Sequence, residues 1–300
     1  TAHFLKKYSQ EIKLIEISEF TNFNEILGGR VKSLHPHIHS GILGKKNDKN
    51  HIKELKKIKV PFIDLVVVNL YPFENIVNDK KSKRQLCIEN IDIGGPSLIR
   101  GAAKNYDNVT VLTNPNQYNS FLDVVKGNHN HIPKSFREYC AIAAFENTSY
   151  YDGVISKWFN KKNPNFCDEK LSLNFKKISQ LRYGENPHQR AALFELKKNP
   201  LIKISGKDLS FNNIYDLEIA MELAQQFQKS SCVILKHGNP CGVALNKKQH
   251  KAFDEALNCD KVSAFGGIIA FNKKLSLETA QKIKNLFVEV IIAPGFSTKS

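Results

Sequence analysis

The sequence lacks the signals of membrane or secretory residence. No apolar run reaches the roughly 20 residues that a spanning helix needs, and no signal-peptide pattern is present. Its six cysteines (Cys87, Cys140, Cys167, Cys232, Cys241 and Cys259) are scattered, with no CxxC pair and no disulfide-like spacing. Reduced thiols and a cytoplasmic location are therefore the expectation. Internal repeats and low-complexity tracts are absent, as are an RNP-like aromatic motif, a zinc finger and a long basic helix. Acidic residues are scarce: 29 Asp and Glu against 44 Lys and Arg give a formal net charge of +15. Such an excess invites a nucleic-acid partner, and a basic nucleic-acid-binding protein is the non-enzyme alternative. Yet pairs such as Lys45-Lys46, Lys80-Lys81 and Lys161-Lys162 are spread along the chain, mostly in polar connectors. A solvated lysine-rich surface explains them more simply, and a positive field equally attracts phosphorylated small molecules.

Three hundred residues at 41% hydrophobic content suffice for one large domain or two ordinary ones. Phe62 to Leu70 is a nearly continuous apolar run, the pattern of a strand covered on both faces, and Val109–Thr113 is another. Between them Gly94-Gly95-Pro96 opens a helix reaching Asn105, with proline suited to its first turn. Ser135 to Phe159 is the longest helical candidate, with an interruption expected near Tyr150–Gly153. This alternation predicts an α/β layered domain with a largely parallel sheet. From 166 to 177 the pattern dissolves into polar residues, a connector between domains at 1–165 and 178–300. Beyond it the alternation resumes: helix at Leu217–Gln228, strand at Ser231–Leu235, helix at Ala252–Asn258, strand at Gly267–Phe271, helix at Leu277–Phe287, strand at Val288–Ala293. The second domain also reads as α/β.

The most informative stretch is Leu235-Lys236-His237-Gly238-Asn239-Pro240-Cys241-Gly242. A buried strand delivers a cation and an imidazole into a Gly/Pro turn, at the sheet edge where α/β proteins commonly bind ligands. The pair suits proton removal beside a developing oxyanion, although a surface turn with an incidental Lys-His pair is equally compatible with this block alone. Arg30, Lys32 and Ser33 lie in a glycine-opened turn whose donors suit a phosphate or carboxamide, while Asn69 and Tyr71 leave the core at a strand end. Asp92 precedes a helix start that favours anions, and Arg100 and Lys104 share a helix face. His35, His37 and His39 alternate, which would place three imidazoles on one strand face. Pro36 interrupts any such strand, so structural or substrate-contacting roles outrank metal binding. Zinc nucleobase deamination ranks low as well: Pro240-Cys241 is present, but position 244 is Ala and no His-x-Glu stands upstream.

Six blocks in order resemble the bifunctional AICAR transformylase/IMP cyclohydrolase family. They are Gly28–Pro36, Val68–Phe73, Ile91–Pro96 with Ala102–Asn105, Leu181–Arg190, Lys236-His237, and Asp260–Gly267, and together they run through the whole chain. The resemblance implies a methylglyoxal-synthase-like layered α/β domain followed by a cytidine-deaminase-like α/β transformylase region. It also implies a Gly-rich phosphate turn before residue 1 and further transformylase sequence after residue 300.

By the same resemblance Arg30, Val31, Lys32, Ser33, Asn69, Asp92 and Ile93 bind the nucleotide in the cyclohydrolase half. Lys104 is the proton donor and acceptor there, with Tyr71 and Asp92 supporting the chemistry. In the transformylase half His237 accepts a proton, Lys236 stabilises the transition state, and Arg182, Tyr183 and Asp260 bind AICAR. The implied cosubstrate is 10-formyltetrahydrofolate, the other small molecules are AICAR, FAICAR and IMP, and no catalytic metal is expected. The implied assembly is a homodimer, with no nucleic-acid or membrane partner. Gly101 stands where the family pattern has Ala or Ser, and Lys261 replaces a common proline.

Overall fold

The computed structural model describes residues 4, 5, 7, 13–129, 131–161, 173–196 and 201–297. Its contacts divide the chain into two compact units, Thr1–Asn174 and Phe175–Ser300. Residues 166–172 of the expected connector lie outside the described residues, and regular structure restarts at Lys176, within the stretch read as connector.

In the first unit, α1 (Ile17–Thr21) precedes a 3-10 turn at Leu27–Gly29. Helices α2 (Pro36–Leu43) and α3 (Lys49–Lys57) follow, then β1 (Leu65–Val67), α4 (Phe73–Asn78) and α5 (Arg84–Glu89). After these come α6 (Gly94–Lys104), β2 (Thr110–Leu112), α7 (Tyr118–Gly127) and α8 (Lys134–Asn160). Strands β1 and β2 pair in parallel with Val66 opposite Val111, and the helices between them supply the crossover. Ile38 and Ile42 of α2, Ile99 and Ala102 of α6, and Cys140 and Ala144 of α8 close a core around Val66 and Val111.

Two expectations fail here. The Phe62–Leu70 run is strand only over three residues, and one face of it stays open: Val66 is buried while Leu65 and Val67 are 38% and 47% exposed. Hydrophobicity reports what can be covered, not what covers it. The break expected near Tyr150–Gly153 is also absent, since α8 is continuous over 27 residues. Gly153 is buried there and its missing side chain leaves room for Asn174, whose amide donates to Tyr150 O at 3.2 Å.

The second unit begins with the antiparallel pair β3 (Lys176–Gln180) and β4 (Ala192–Glu195). Then come α9 (Phe211–Gln225), β5 (Ser231–Lys236), β6 (Asn239–Leu245), α10 (Gln249–Cys259) and α11 (Lys261–Ala264). Strand β7 (Ile268–Phe271), α12 (Leu277–Ile283) and β8 (Val290–Ile292) complete it. The four-stranded sheet has the order β6-β5-β7-β8, with only β7 and β8 parallel.

Strand β5 is apolar over 232–235 because both of its faces are covered there. Val233 and Leu235 meet Leu217, Ala220 and Ala224, which recur at helical spacing on one side of α9. Cys232 and Ile234 meet Phe253 and Ala256 of α10 and Ile283 of α12. Helix α9 starts six residues before the expected Leu217, because Ser210 Oγ accepts from Asn213 N–H and Asn213 Oδ1 accepts in return from Ser210 N–H. Strand β6 was not expected at all. It lies at the sheet edge, where the missing N–H of Pro240 is tolerated. Gly242 lets α10 close on it, since a Cβ there would stand 1.9 Å from Ala256 O.

Candidate functional sites

In the first unit three segments meet at the start of α6. A Cβ on Gly94 would lie 2.6 Å from Ser33 Oγ, and one on Gly95 would lie 2.3 Å from Asp92 Oδ2 and 2.8 Å from Leu70 Cδ2. The paired glycines are thus what lets the Arg30–Ser33 turn, the strand end at Asn69–Tyr71 and Asp92 share one place. Asp92 Oδ1 accepts from Gly95 N–H at 2.7 Å, so a carboxylate already occupies part of the positive helix start. The Asp92 N–H donates to Tyr151 Oη at 2.8 Å. Ile93, next in the chain, is 61% exposed.

Both cations of the turn are paired. Arg30 Nη2 meets Glu89 Oε1 at 2.5 Å, and Lys32 Nζ meets Glu25 Oε2 at 2.8 Å. The Arg30 hydrogen bond holds the Glu89 carboxyl below its ordinary range, and the Glu25 hydrogen bond raises the Lys32 ammonium. Val31 secures the turn through reciprocal backbone bonds with Ile26. Asn69 Nδ2 donates to Tyr118 Oη at 2.9 Å. Asn69 and Tyr71, with Glu74, Asn147, Tyr150 and Tyr151, line a cleft of about 310 Å³.

Lys104 is not in this cluster. It is exposed in the last turn of α6, about 15 Å along the axis from Gly94 at 1.5 Å per residue. The three histidines do not share a strand. His35 caps α2 by accepting from His37 N–H at 3.2 Å, and His39 Nε2 stands 2.9 Å from Ser97 Oγ.

In the second unit, Lys236 and His237 belong to a β-hairpin. Lys236 pairs with Asn239, and the two central residues both have positive φ, His237 at 51° and Gly238 at 72°. That is the signature of a two-residue type I′ turn, which glycine accepts freely and histidine only at a cost of about 1–2 kcal/mol. Asp216 on α9 offsets the cost. Its Oδ2 accepts from His237 N–H at 3.0 Å and its Oδ1 from Gly238 N–H at 2.7 Å. Hydrogen bonds to a carboxylate contribute about 1.5–3 kcal/mol each. Lys236 Nζ donates to Phe265 O at 2.7 Å.

One helical turn before Asp216, Asn213 Oδ1 accepts from Arg182 Nη2 at 3.0 Å; Glu289 Oε2 takes the same nitrogen at 3.4 Å. The Arg182 guanidinium also lies 5.4 Å from the centre of the Tyr183 ring, and Tyr183 O accepts from Phe211 N–H. Asp260 caps α11, its Oδ1 accepting from the Ser263 and Val262 N–H groups; Ser263 foremost, then Val262, lowers its carboxyl. It remains exposed where Lys261 follows it.

Cys241 ties these groups to one locality. It is the extra residue of a β-bulge opposite Ile234/Leu235. Burial raises its thiol first, then the charge of Asp260; Lys236 opposes this and Asp216 adds to it. Sequence reasoning assigned no role to Asp216, Glu89, Glu289, Tyr151 or Asn213. Only Asn213 carried a usable signal, the Ser-x-x-Asn spacing of a capping box.

The architecture is that of a mixed α/β protein, and residues 1–97 match the MGS-like domain family. Residues 102–300 match the family described as AICARFT/IMPCHase bienzyme. The chain belongs to that purine-biosynthetic family. The bifunctional purine biosynthesis protein PurH of Prochlorococcus marinus (strain MIT 9215) is 45% identical over 97% of this chain and 58% of its own length. PurH of Buchnera aphidicola subsp. Schizaphis graminum (strain Sg) is 47% identical over 98% of this chain and 58% of its own length. The chain thus spans a little under three fifths of these relatives. A crystal structure of ForH superposes with a TM-score of 0.44 at 28% identity, covering 52% of this chain and 80% of that one.

Proposed function

We propose that the chain carries residues of two sites that complete IMP synthesis, one for formyl transfer to AICAR and one for ring closure of FAICAR. The observation that carries this reading is the convergence on α9, where Arg182 and the Lys236-His237 turn are fastened three residues apart. Within it, the second unit is the first part of a deaminase-like transformylase region that works as a homodimer with 10-formyltetrahydrofolate as cosubstrate.

The AICAR amine is conjugated with its ring, so it attacks a formyl carbon only as its proton leaves. His237 takes that proton, and Lys236 faces the negative charge that grows on the formyl oxygen. The C–N bond to AICAR forms as the bond from formyl carbon to folate nitrogen breaks, and that nitrogen departs protonated. Arg182 binds the nucleotide phosphate in a bidentate fashion, with Tyr183 and Asp260 holding the remainder.

In ring closure the carboxamide nitrogen attacks the formyl carbon, and the formyl oxygen leaves as water, taking one proton from that nitrogen and one from the formamide nitrogen as the ring C=N bond forms. Arg30, Val31, Lys32 and Ser33 hold the nucleotide with Asn69 and Ile93, while Tyr71 and Asp92 stand where a proton must be moved. The carried-over role of Lys104 stands apart from these, because the residue lies in the last turn of α6 and the others gather at its start. Tyr71→Phe and Lys104→Ala, assayed on added FAICAR, decide where that proton passes: the variant that loses ring closure marks the end of α6 that carries it.

The test of the whole reading is the full-length gene product with and without His237→Ala, supplied with AICAR and 10-formyltetrahydrofolate. Formyl transfer should collapse in the variant while added FAICAR still closes to IMP. Unchanged formyl transfer would remove His237 from the mechanism. A parent protein inactive with AICAR would overturn the functional reading.

A further inference from the structure

We propose that Asp216 is a positioning residue for formyl transfer, setting the place of His237 through the turn's backbone without touching the imidazole. This rests on the assignment of His237 as the proton acceptor.

Three observations carry it. Asp216 is 8% exposed, and its two carboxylate oxygens are divided between the N–H groups of the two positive-φ residues. A single carboxylate therefore defines both central peptides of the turn. Tyr215, the preceding residue on α9, stands against the same turn, with its Cε1 3.2 Å from where a Gly238 Cβ would lie. Asn213, one turn earlier and 9% exposed, holds the Arg182 guanidinium.

The distance between phosphate anchor and base is thus fixed by one stretch of helix, with each end fastened by a buried polar side chain. Reaction from a near-attack geometry is sensitive to such spacing, since a displacement of about 1 Å can cost about 100-fold. A carboxylate that merely filled a polar gap would have no need to divide itself between these two donors.

Asp216→Asn keeps the volume but leaves one acceptor oxygen and turns an NH2 group against the second N–H. In the full-length gene product, kcat for formyl transfer, normalised to AICAR sites counted by calorimetry, should fall about 100-fold. The AICAR Kd should stay within about threefold of the parent, because Arg182 keeps its own partner. In a His237→Ala background the slow residual rate should change by less than about twofold, because the group being positioned is gone.

An equal loss in both backgrounds would make Asp216 a general structural residue and overturn the proposal, as would an unchanged kcat per site. If Asp216→Asn yields no AICAR-binding protein, Asp216→Ser, whose hydroxyl still accepts one N–H, enters the same cycle with the same two criteria. Full formyl transfer by His237→Ala alone would instead defeat the functional reading beneath it.

Discussion

Gly101→Ala should make the first unit more stable. Gly101 lies inside α6 with helical backbone, and a Cβ there would meet Ile42 Cγ2 at 3.6 Å and Leu43 Cδ2 at 4.0 Å. These are ordinary van der Waals distances, so the methyl enters without strain. Replacing glycine by alanine in a helix interior gains about 0.8–1.0 kcal/mol. The new methyl, half covered by α2, adds about 0.4 kcal/mol, half the value for a fully buried CH2. The sum is about 1.3 kcal/mol, or about 3–5 °C in the transition of a unit of this size.

The chain has two compact units, so calorimetry should be fitted with two transitions, and only the one belonging to the first unit should move. Gly242→Ala is the counterpart. Its Cβ would strike the Ala256 carbonyl, and separating β6 from α10 should lower the other transition by about 3 kcal/mol or more. A Gly101→Ala protein that melts lower than its parent would refute the packing of α2 on α6 described above. A rise in both transitions would refute the assignment of the gain to α6.

His237→Gly should raise the stability of the second unit by about 1 kcal/mol, because glycine carries no left-handed penalty, while formyl transfer is lost. A destabilised variant in urea titration would argue against the strained turn. Glu89→Gln should release Arg30 and lower the KM for FAICAR several-fold at low salt; an unchanged or raised KM would mean that the pair does not compete with substrate. The Glu89 carboxyl is held below its ordinary range by Arg30, so its contribution to stability is complete above the unfolded glutamate pKa, about 4.3. That contribution should fade as pH falls through the lower folded value, and a 13C carboxyl titration with a midpoint at or above about 4.3 would contradict the pairing. Thiol labelling of the native chain should reach exposed Cys259 well before Cys140, which burial pushes up to about 11; equal rates would contradict the core placement of Cys140.

Much of the fold could be read along the chain because β5, β2 and α6 announce themselves: covered strands carry short apolar runs, at 232–235 and 111–112, and Gly94-Gly95-Pro96 marks a helix start. Strand β6 could not be read, since Pro240 and Gly242 signal a turn. Only the edge position and the approach of α10 make them strand residues. Gly153 misled for a related reason, as it serves Asn174 packing rather than a break in α8. At the sites, Arg30, Asp92, Arg182 and the Lys236-His237 pair lie in motifs whose glycines and prolines are visible in the chain. Asp216 sits in a helix between Tyr215 and Leu217, and nothing local distinguishes it from a solvated acid. Its importance comes from a partner 21 residues away.

The double fastening on α9 has a consequence for how this unit loses function. Ser210 anchors the first turn of the helix that presents both Asn213 and Asp216. Opening of α9 would remove Asn213 from the guanidinium, leaving it to Glu289, and free the hairpin in the same event, so the His237 and Gly238 amides should exchange with solvent deuterium together with those of α9. No partly assembled state would then remain that grips a phosphate while the base hangs loose. An unproductive nucleotide complex of that kind is something the helix is built not to visit.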